Sequence, residues 1–282
     1  MARILIVGAG DVGGTLAMQL AQHHQVWGLR RSGGANSANL QWLQADVTDP
    51  ETLQELPTDL DLVIYSVASP VFSKEGYHDY YVNGVRHVLQ ALADQRLRRF
   101  IFVSSSSVYH QMDGEWVDET SATAPHSFAG KELLQAEQVL QDSRFESTAV
   151  RFTGIYGPGR NRLIEQARHG GHCDPEPPVW TNRIHRDDCV GVLALLCEKA
   201  LAGEPLETLY LATDDEPATL FDVLEWLKDR IAEVDPDHDM PEVTRRANRR
   251  CRNDRLKALG YVFRFSNYRE GYDVMLNELG YE

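Results

Sequence analysis

Three glycines in the segment Gly8-Ala9-Gly10-Asp11-Val12-Gly13 follow the apolar run Ile4 to Val7 and precede Thr15 to Gln22, which has helical apolar spacing. In such a strand-turn-helix setting each glycine has its own use. Gly8 permits the tight turn, Gly10 lets a ligand approach the bare backbone, and Gly13 lets the helix pack against the strand. The helix N-terminus then offers unpaired N–H donors and the positive end of the dipole, which suits the pyrophosphate of a dinucleotide. Twenty residues beyond Gly10 the second strand ends in Leu29-Arg30-Arg31-Ser32. A carboxylate there would take the ribose 2′-hydroxyl of NAD. The arginine pair instead suits a 2′-phosphate, by bidentate charge-assisted bonds, so NADP is expected and NAD is the lesser candidate. Asp46, at the end of a third strand, is placed to meet the adenine edge.

These residues need a scaffold, and the rest of the chain supplies its pattern. Strand-like runs at Arg3 to Val7, Gln25 to Leu29, Leu40 to Ala45, Asp61 to Val67, Arg99 to Val103 and Ser147 to Phe152 alternate with helical spacing at Thr15 to Gln22, Pro50 to Leu56, Tyr77 to Asp94 and Lys131 to Gln141. That alternation predicts an α/β fold, a doubly wound parallel sheet of the Rossmann type. Glycine and proline become frequent after Gly154, as in Gly157-Pro158-Gly159 and Pro175 to Pro178. The expected division is a dinucleotide-binding domain over 1–154 and a smaller C-terminal substrate lobe over 155–282, interleaved with the last strands and helices of the first domain.

A chain of 282 residues, 43% hydrophobic, is long enough for a large core, and its net charge of -14 argues against a nucleic-acid surface. No apolar run approaches the roughly 20 residues that span a bilayer. Met1-Ala2-Arg3 leads straight into a strand pattern, so a soluble, cytoplasmic protein with no membrane partner is expected. Cys173, Cys189, Cys197 and Cys251 lie far apart and read as reduced, mostly buried thiols. The basic run Arg245 to Arg252 reads as a solvated segment ahead of a phosphate-binding one. Asp235-Pro236-Asp237-His238-Asp239 imitates the start of a calcium loop, but Met240 stands where glycine is required and Arg246 where a bidentate glutamate is. His169-Gly170-Gly171-His172-Cys173 has metal-ligand residue types on a glycine-rich loop that gives them no fixed face, and no metal is expected.

Together with further segments these motifs resemble the extended short-chain dehydrogenase/reductases, the superfamily of NAD-dependent sugar-nucleotide epimerases and dehydratases, over nearly the whole chain. Asp46-Val47 resembles its adenine-contact pair, Tyr65 to Ala68 its loop after the fourth strand, and Asn83-Gly84-Val85-Arg86 its helix motif. Phe102-Val103-Ser104-Ser105-Ser106-Ser107-Val108-Tyr109 is similar to its catalytic serine segment, with Ser105 in the serine role. Arg151 to Arg160, with Thr153, is similar to the strand and loop beside the nicotinamide. Arg183-Ile184-His185-Arg186-Asp187-Asp188 is similar to its Ile-His-x-x-Asp segment. The resemblance implies cofactor contacts from Gly8, Gly10, Asp11, Val12, Gly13, Arg30, Arg31, Asp46, Val47, Ala68 and Thr153. It also implies a small-molecule substrate, such as a nucleotide sugar, whose diphosphate Arg160, Arg162, Arg183 and Arg249 would hold.

The superfamily's proton chemistry rests on a Tyr-x-x-x-Lys pair one helical turn apart, the lysine lowering the tyrosine pKa. Matching Glu137-Gln138 to that helix leaves Ala129 at the tyrosine and Leu133 at the lysine. Neither transfers protons, which points to an atypical subgroup. Lys131 is two residues out of register and falls on another helix face, and Tyr109 follows the serine segment; with Ser105 they are the candidate catalytic residues, although an isolated tyrosine is more often a packing residue. Two functions follow as alternatives: an NADP(H)-dependent oxidoreductase or epimerase with displaced acid-base groups, or a non-catalytic NADP(H) sensor. A homodimer is a further expectation, with Tyr81, Val85, Val88, Leu89, Leu133, Leu134 and Val139 divided between core and interface.

Overall fold

The computed structural model describes residues 1–231 and 247–281. The calcium-like segment Asp235 to Asp239 and the arginines Arg245 and Arg246 lie outside the described residues. Along the chain run β1 (Arg3–Val7), α1 (Asp11–Leu20), β2 (Gln25–Arg30), β3 (Leu40–Gln44), β4 (Leu62–Tyr65), α2 (Lys74–Tyr77), α3 (Gly84–Ala91), β5 (Arg99–Ser105), β6 (Glu115–Val117), α4 (Phe128–Gln141), β7 (Ser147–Phe152), β8 (Gly154–Tyr156) and α5 (Arg162–Arg168). They continue with β9 (Trp180–Thr181), β10 (Arg183–His185), α6 (Arg186–Ala202), β11 (Leu209–Ala212), β12 (Ala218–Thr219), α7 (Leu220–Arg230), β13 (Arg249–Cys251), α8 (Asp254–Ala258) and α9 (Tyr268–Glu278).

The chain forms two compact units, one of residues 1–108, 123–151 and 190–210, the other of 109–122, 152–189 and 211–281 within the described chain. The first carries a seven-stranded sheet ordered β11-β7-β5-β4-β1-β2-β3. Strands β1 to β5 pair in parallel, and all four residues of β4 are buried, as strands covered on both faces require. From β1 the chain moves outward through β2 and β3, then returns to place β4 on the other side of β1. Strand order therefore reverses between β1 and β4, and the crevice at their carboxyl ends is where ligands bind in open sheets of this kind.

Several elements differ from the sequence expectation, among them the stretch Pro50 to Leu56, which forms only a 3-10 turn over Pro50–Leu53. Helix α1 starts at Asp11, four residues before Thr15, because the third glycine of the turn and Gly14 lie inside the helix and mask its periodicity. The stretch from Tyr77 is broken: α2 passes into a π-helical turn over His78–Asn83 before α3 begins. A 2.8 Å hydrogen bond joins His78 Nδ1 in that turn to the buried Glu132 of α4. Strand β11, at the sheet edge, and α6 carried no readable pattern. Leu209–Ala212 is too short to alternate, and α6 is apolar on most faces, so no polar stripe marks its period.

The second unit is built from short pairs: β8 with β10 in parallel, β9 with β12 antiparallel, and β6 with β13 in parallel. Its apolar core joins Ile164 and Ala167 of α5, Val223, Leu224 and Leu227 of α7, and Tyr268, Tyr272 and Met275 of α9. Asp188 of the Ile-His-x-x-Asp segment has a structural task in this unit. Fully buried, it accepts hydrogen bonds from the Tyr261 hydroxyl at 2.8 Å and the Arg264 and Phe265 N–H groups at 2.7 and 3.1 Å. Three donors compensate a carboxylate whose pKa burial pushes up.

Candidate dinucleotide site

The glycine turn has the geometry that its three residues predict. Gly8 has φ +85°, and a β-carbon there would stand 2.6 Å from the Val67 backbone, so the turn lies directly on the loop that leaves β4. A β-carbon on Gly13 would stand 2.5 Å from the Gly8 carbonyl oxygen, which fixes how closely α1 returns to β1. At Gly10, by contrast, no atom lies within 4 Å of the missing β-carbon. The chain presents bare backbone to open space there. Gly10 is also the N-cap of α1, and no side chain caps that end. An uncapped, positive helix end beside exposed backbone fits a pyrophosphate. Asp11 is exposed at the first helical position, and Val12 and Gly13 are buried beneath it.

At the end of β2 the two arginines differ. The half-buried Arg30 lies with Cζ 4.1 Å from the Trp42 ring centroid and donates from one terminal nitrogen to the Gly33 carbonyl at 2.7 Å. Its Nε is buried with no hydrogen-bond partner in the protein. Arg31 is exposed and reaches the Tyr80 hydroxyl at 3.2 Å. An unsatisfied guanidinium nitrogen beside a second, solvent-facing guanidinium fits a dianionic phosphate.

At the end of β3, Asp46 Oδ1 accepts from the Thr48 N–H and hydroxyl at 2.9 and 2.8 Å. Val47 is buried, and its carbonyl lies 2.7 Å from His87 Nδ1. Ala68 is exposed in the loop after β4. Gly8, Gly10, Asp11, Val12, Gly13, Arg30, Arg31, Asp46, Val47 and Ala68 thus all belong to the first unit. Thr153 belongs to the second, buried, with its N–H on the Ala212 carbonyl at 3.0 Å.

Ser105 ends β5, half-buried, and its Oγ accepts the Ser107 N–H at 3.1 Å. In α4, Ala129 and Leu133 are buried while Lys131 is exposed beside Thr123, Pro125 and Gln138. Tyr109 is 2% exposed and donates its hydroxyl to the Asp118 carbonyl at 2.8 Å. That is the geometry of a packing residue. Two of the four arginines expected to meet substrate are also buried in the second unit. Arg249 donates to the Tyr109 and Gln111 carbonyls at 2.7 and 3.3 Å, and Arg183 donates to Thr181 Oγ1 at 2.7 Å. Arg160 and Arg162 are exposed.

Sequence reasoning missed three features. Trp42 carries no motif, yet it lies under Arg30. Glu137 of α4 accepts from Ser104 at 2.5 Å and from both Arg151 Nε and a terminal nitrogen at 3.0 and 2.6 Å, a buried network joining α4 to β5 and β7. In the second unit Tyr156 OH, one Arg183 nitrogen and His185 Nε2 are buried without protein partners, and the Asp214 carboxylate is buried near Arg183 with the Glu216 backbone N–H as a donor. Burial holds the Asp214 carboxyl well above its usual pKa, against the opposing charge of Arg183, and lowers His185 to about 4. Only long-range packing creates these environments. Among the described residues no group of His, Cys, Asp and Glu is arranged to hold a metal ion, and the four cysteines form no disulfide, Cys173 being half-buried and the others buried. No described helix is long and apolar enough to cross a membrane.

A reversed strand order, a glycine turn at the reversal and an uncapped helix beside it define a Rossmann-type dinucleotide-binding protein. The chain belongs to the NAD(P)H-binding family, whose model matches residues 8–195, and its fold is that of the epimerase/dehydratase-like extended short-chain dehydrogenase/reductases. Protein YeeZ of Escherichia coli K12 is 29% identical over 216 residues, covering 72% of this chain and 76% of YeeZ. A solved structure from Methylobacillus flagellatus, whose name places it among NAD-dependent epimerases/dehydratases, is 39% identical over 99% of both chains, with a TM-score of 0.82. DesIV of Streptomyces venezuelae, a dTDP-glucose 4,6-dehydratase with NAD bound, shares the fold at 18% identity and a TM-score of 0.79, over 96% of this chain and 94% of DesIV.

Proposed function

We propose that this chain binds NADP(H) in preference to NAD(H) and serves as an oxidoreductase or epimerase of the nucleotide-sugar type whose proton-transfer site is degenerate. The observation that carries the cofactor reading is the arginine pair at the end of β2, with the Arg30 Nε buried and unpartnered. A buried donor left unpaired costs about 1–3 kcal/mol, and a phosphate oxygen would recover that cost. The bound cofactor supplies hydride exchange. The chain's own residues hold its phosphates through the Gly8–Gly13 turn and Arg30–Arg31, and Ser105 hydrogen-bonds the reacting oxygen. Arg160 and Arg162, both exposed, carry the substrate diphosphate.

Calorimetric titration with both cofactors tests the reading. NADP(H) should bind about ten- to a hundred-fold more tightly, roughly 1.5 to 3 kcal/mol, and Arg30→Ala with Arg31→Ala should abolish the difference. Equal affinities in the parent would overturn it. One observation favours a non-catalytic NADP(H) sensor instead: Ala129 and Leu133, at the positions of the superfamily's proton-transfer pair, are buried and apolar. A tight NADP(H) complex that turns over no nucleotide sugar would select the sensor.

A further inference from the structure

We propose that Trp42 is a positioning residue of the 2′-phosphate pocket, holding the Arg30 guanidinium in the orientation that discriminates NADP(H) from NAD(H). The inference rests on the 2′-phosphate reading given above and assigns the discrimination to a side chain that never touches the phosphate.

The indole is fixed from several sides. A β-carbon on Gly28, in β2, would stand 2.8 and 2.9 Å from two Trp42 ring carbons, so the ring lies flat against strand backbone where a side chain is missing. A β-carbon on Gly34 would stand 2.7 Å from the other edge of the same ring and 2.5 Å from an Arg30 terminal nitrogen. The loop after β2 therefore presses its backbone onto both groups at once. The Trp42 backbone N–H donates to Asn36 Oδ1 at 2.7 Å, tying that loop to β3. On this platform the guanidinium stacks at 4.1 Å, and the Gly33 carbonyl at 2.7 Å fixes its rotation.

Arginine has large rotamer freedom, and a planar fork contributes fully only when its orientation is set in advance. Stacking on an indole supplies that order without using an N–H donor, and the Arg30 Nε has no hydrogen-bond partner within the protein. Arg31 lacks such a platform. It is exposed, with Cζ 5.8 Å from the Tyr80 ring centroid, and contributes charge more than geometry.

Adenosine 2′,5′-bisphosphate and 5′-AMP, which differ by the 2′-phosphate alone, isolate the effect when titrated calorimetrically. The parent should prefer the bisphosphate by at least about tenfold. Trp42→Leu should lower bisphosphate affinity about tenfold and leave 5′-AMP within about twofold, while Trp42→Phe, which keeps an aromatic face, restores most of the preference. Gly28→Ala, whose β-carbon would meet the indole at 2.8 Å and the Ala9 β-carbon at 3.2 Å, keeps the tryptophan but shifts its ring and should also lower the preference for the bisphosphate. In an Arg30→Ala background, Trp42→Leu should add less than about twofold, because its action runs through Arg30. If the parent binds both probes alike, the 2′-phosphate reading itself falls, and the role of Trp42 with it. If the parent discriminates and folded Trp42→Leu or Gly28→Ala discriminates equally well, or if 5′-AMP binding falls in step with the bisphosphate, the positioning role alone is overturned.

Discussion

Gly10 and His185 show how one residue's surroundings decide what a substitution does. Gly10 faces open space, so a β-carbon there has no contact beyond its chain neighbours and a valine side chain fills the approach to the turn. Gly10→Val should retain parental stability by chemical denaturation and lose NADP(H) binding by calorimetry. His185 is 2% exposed and sits between Tyr156 and Phe265, at ring-centroid distances of 5.2 and 4.1 Å, with Nδ1 accepting the Asp187 N–H at 3.2 Å. Burial lowers its pKa from 6.5 to about 4, with Asp187 opposing. The unfolded chain therefore takes up the proton first. Its contribution is intact above about pH 6.5 and is lost as pH falls toward 4, by up to about 3 kcal/mol. Denaturation at pH 7 and pH 4 should show a smaller loss for His185→Gln than for the parent; equal losses would remove His185 from the account. The glycines were legible in the sequence because each serves a local backbone need. The pKa of His185 was not, since β8 and the segment after α8 create its surroundings.

Helix α4 carries Ala129 and Leu133, which the resemblance sets at the positions of the superfamily's proton-transfer pair, and the same helix is anchored through Glu137. Its carboxylate meets Ser104 on β5 and Arg151 on β7, with both ionic side chains almost wholly buried. Removing one partner of such a pair strands the other charge. Glu137→Ala should cost about 3–5 kcal/mol in chemical denaturation, whereas Glu137→Leu with Arg151→Met should lie close to the parent. A small loss for the single change would show that Arg151 relaxes to another acceptor. Most parallel strands were legible as apolar runs between helical patterns, and β7 falls where the sequence puts it, over Ser147–Phe152. The starts of α1 and α3 were not, because glycines and a π-helical turn interrupt the 3.6-residue period on which such readings depend.

At the scale of the molecule the question is whether a chain with the cofactor turn and without the tyrosine and lysine still turns over. A positioned acid-base group contributes about 10²- to 10⁴-fold in rate, so ordinary epimerase or dehydratase substrates should react slowly or not at all. Steady-state rates with nucleotide sugars should fall at least about tenfold in Ser105→Ala if turnover is seen, and remain unchanged in Tyr109→Phe, whose hydroxyl is committed to the Asp118 carbonyl. Brisk turnover indifferent to Ser105→Ala would remove Ser105 from the site. By itself the sequence determined the doubly wound sheet, the glycine turn after β1 and the arginine pair after β2, whereas the vacated proton-transfer positions are what the resemblance to the superfamily implies. Each of these is written in residues close in the chain, as a short motif or a period of two or 3.6. Tertiary structure alone decided that Trp42 lies beneath Arg30, that Glu137 ties three elements together, that Arg183, Arg249 and Tyr109 are buried rather than presented, and that Asp188 clamps the segment after α8. Those outcomes depend on which side chains from distant segments fill the same space and on which buried polar atoms find partners there, and neither is encoded in local spacing.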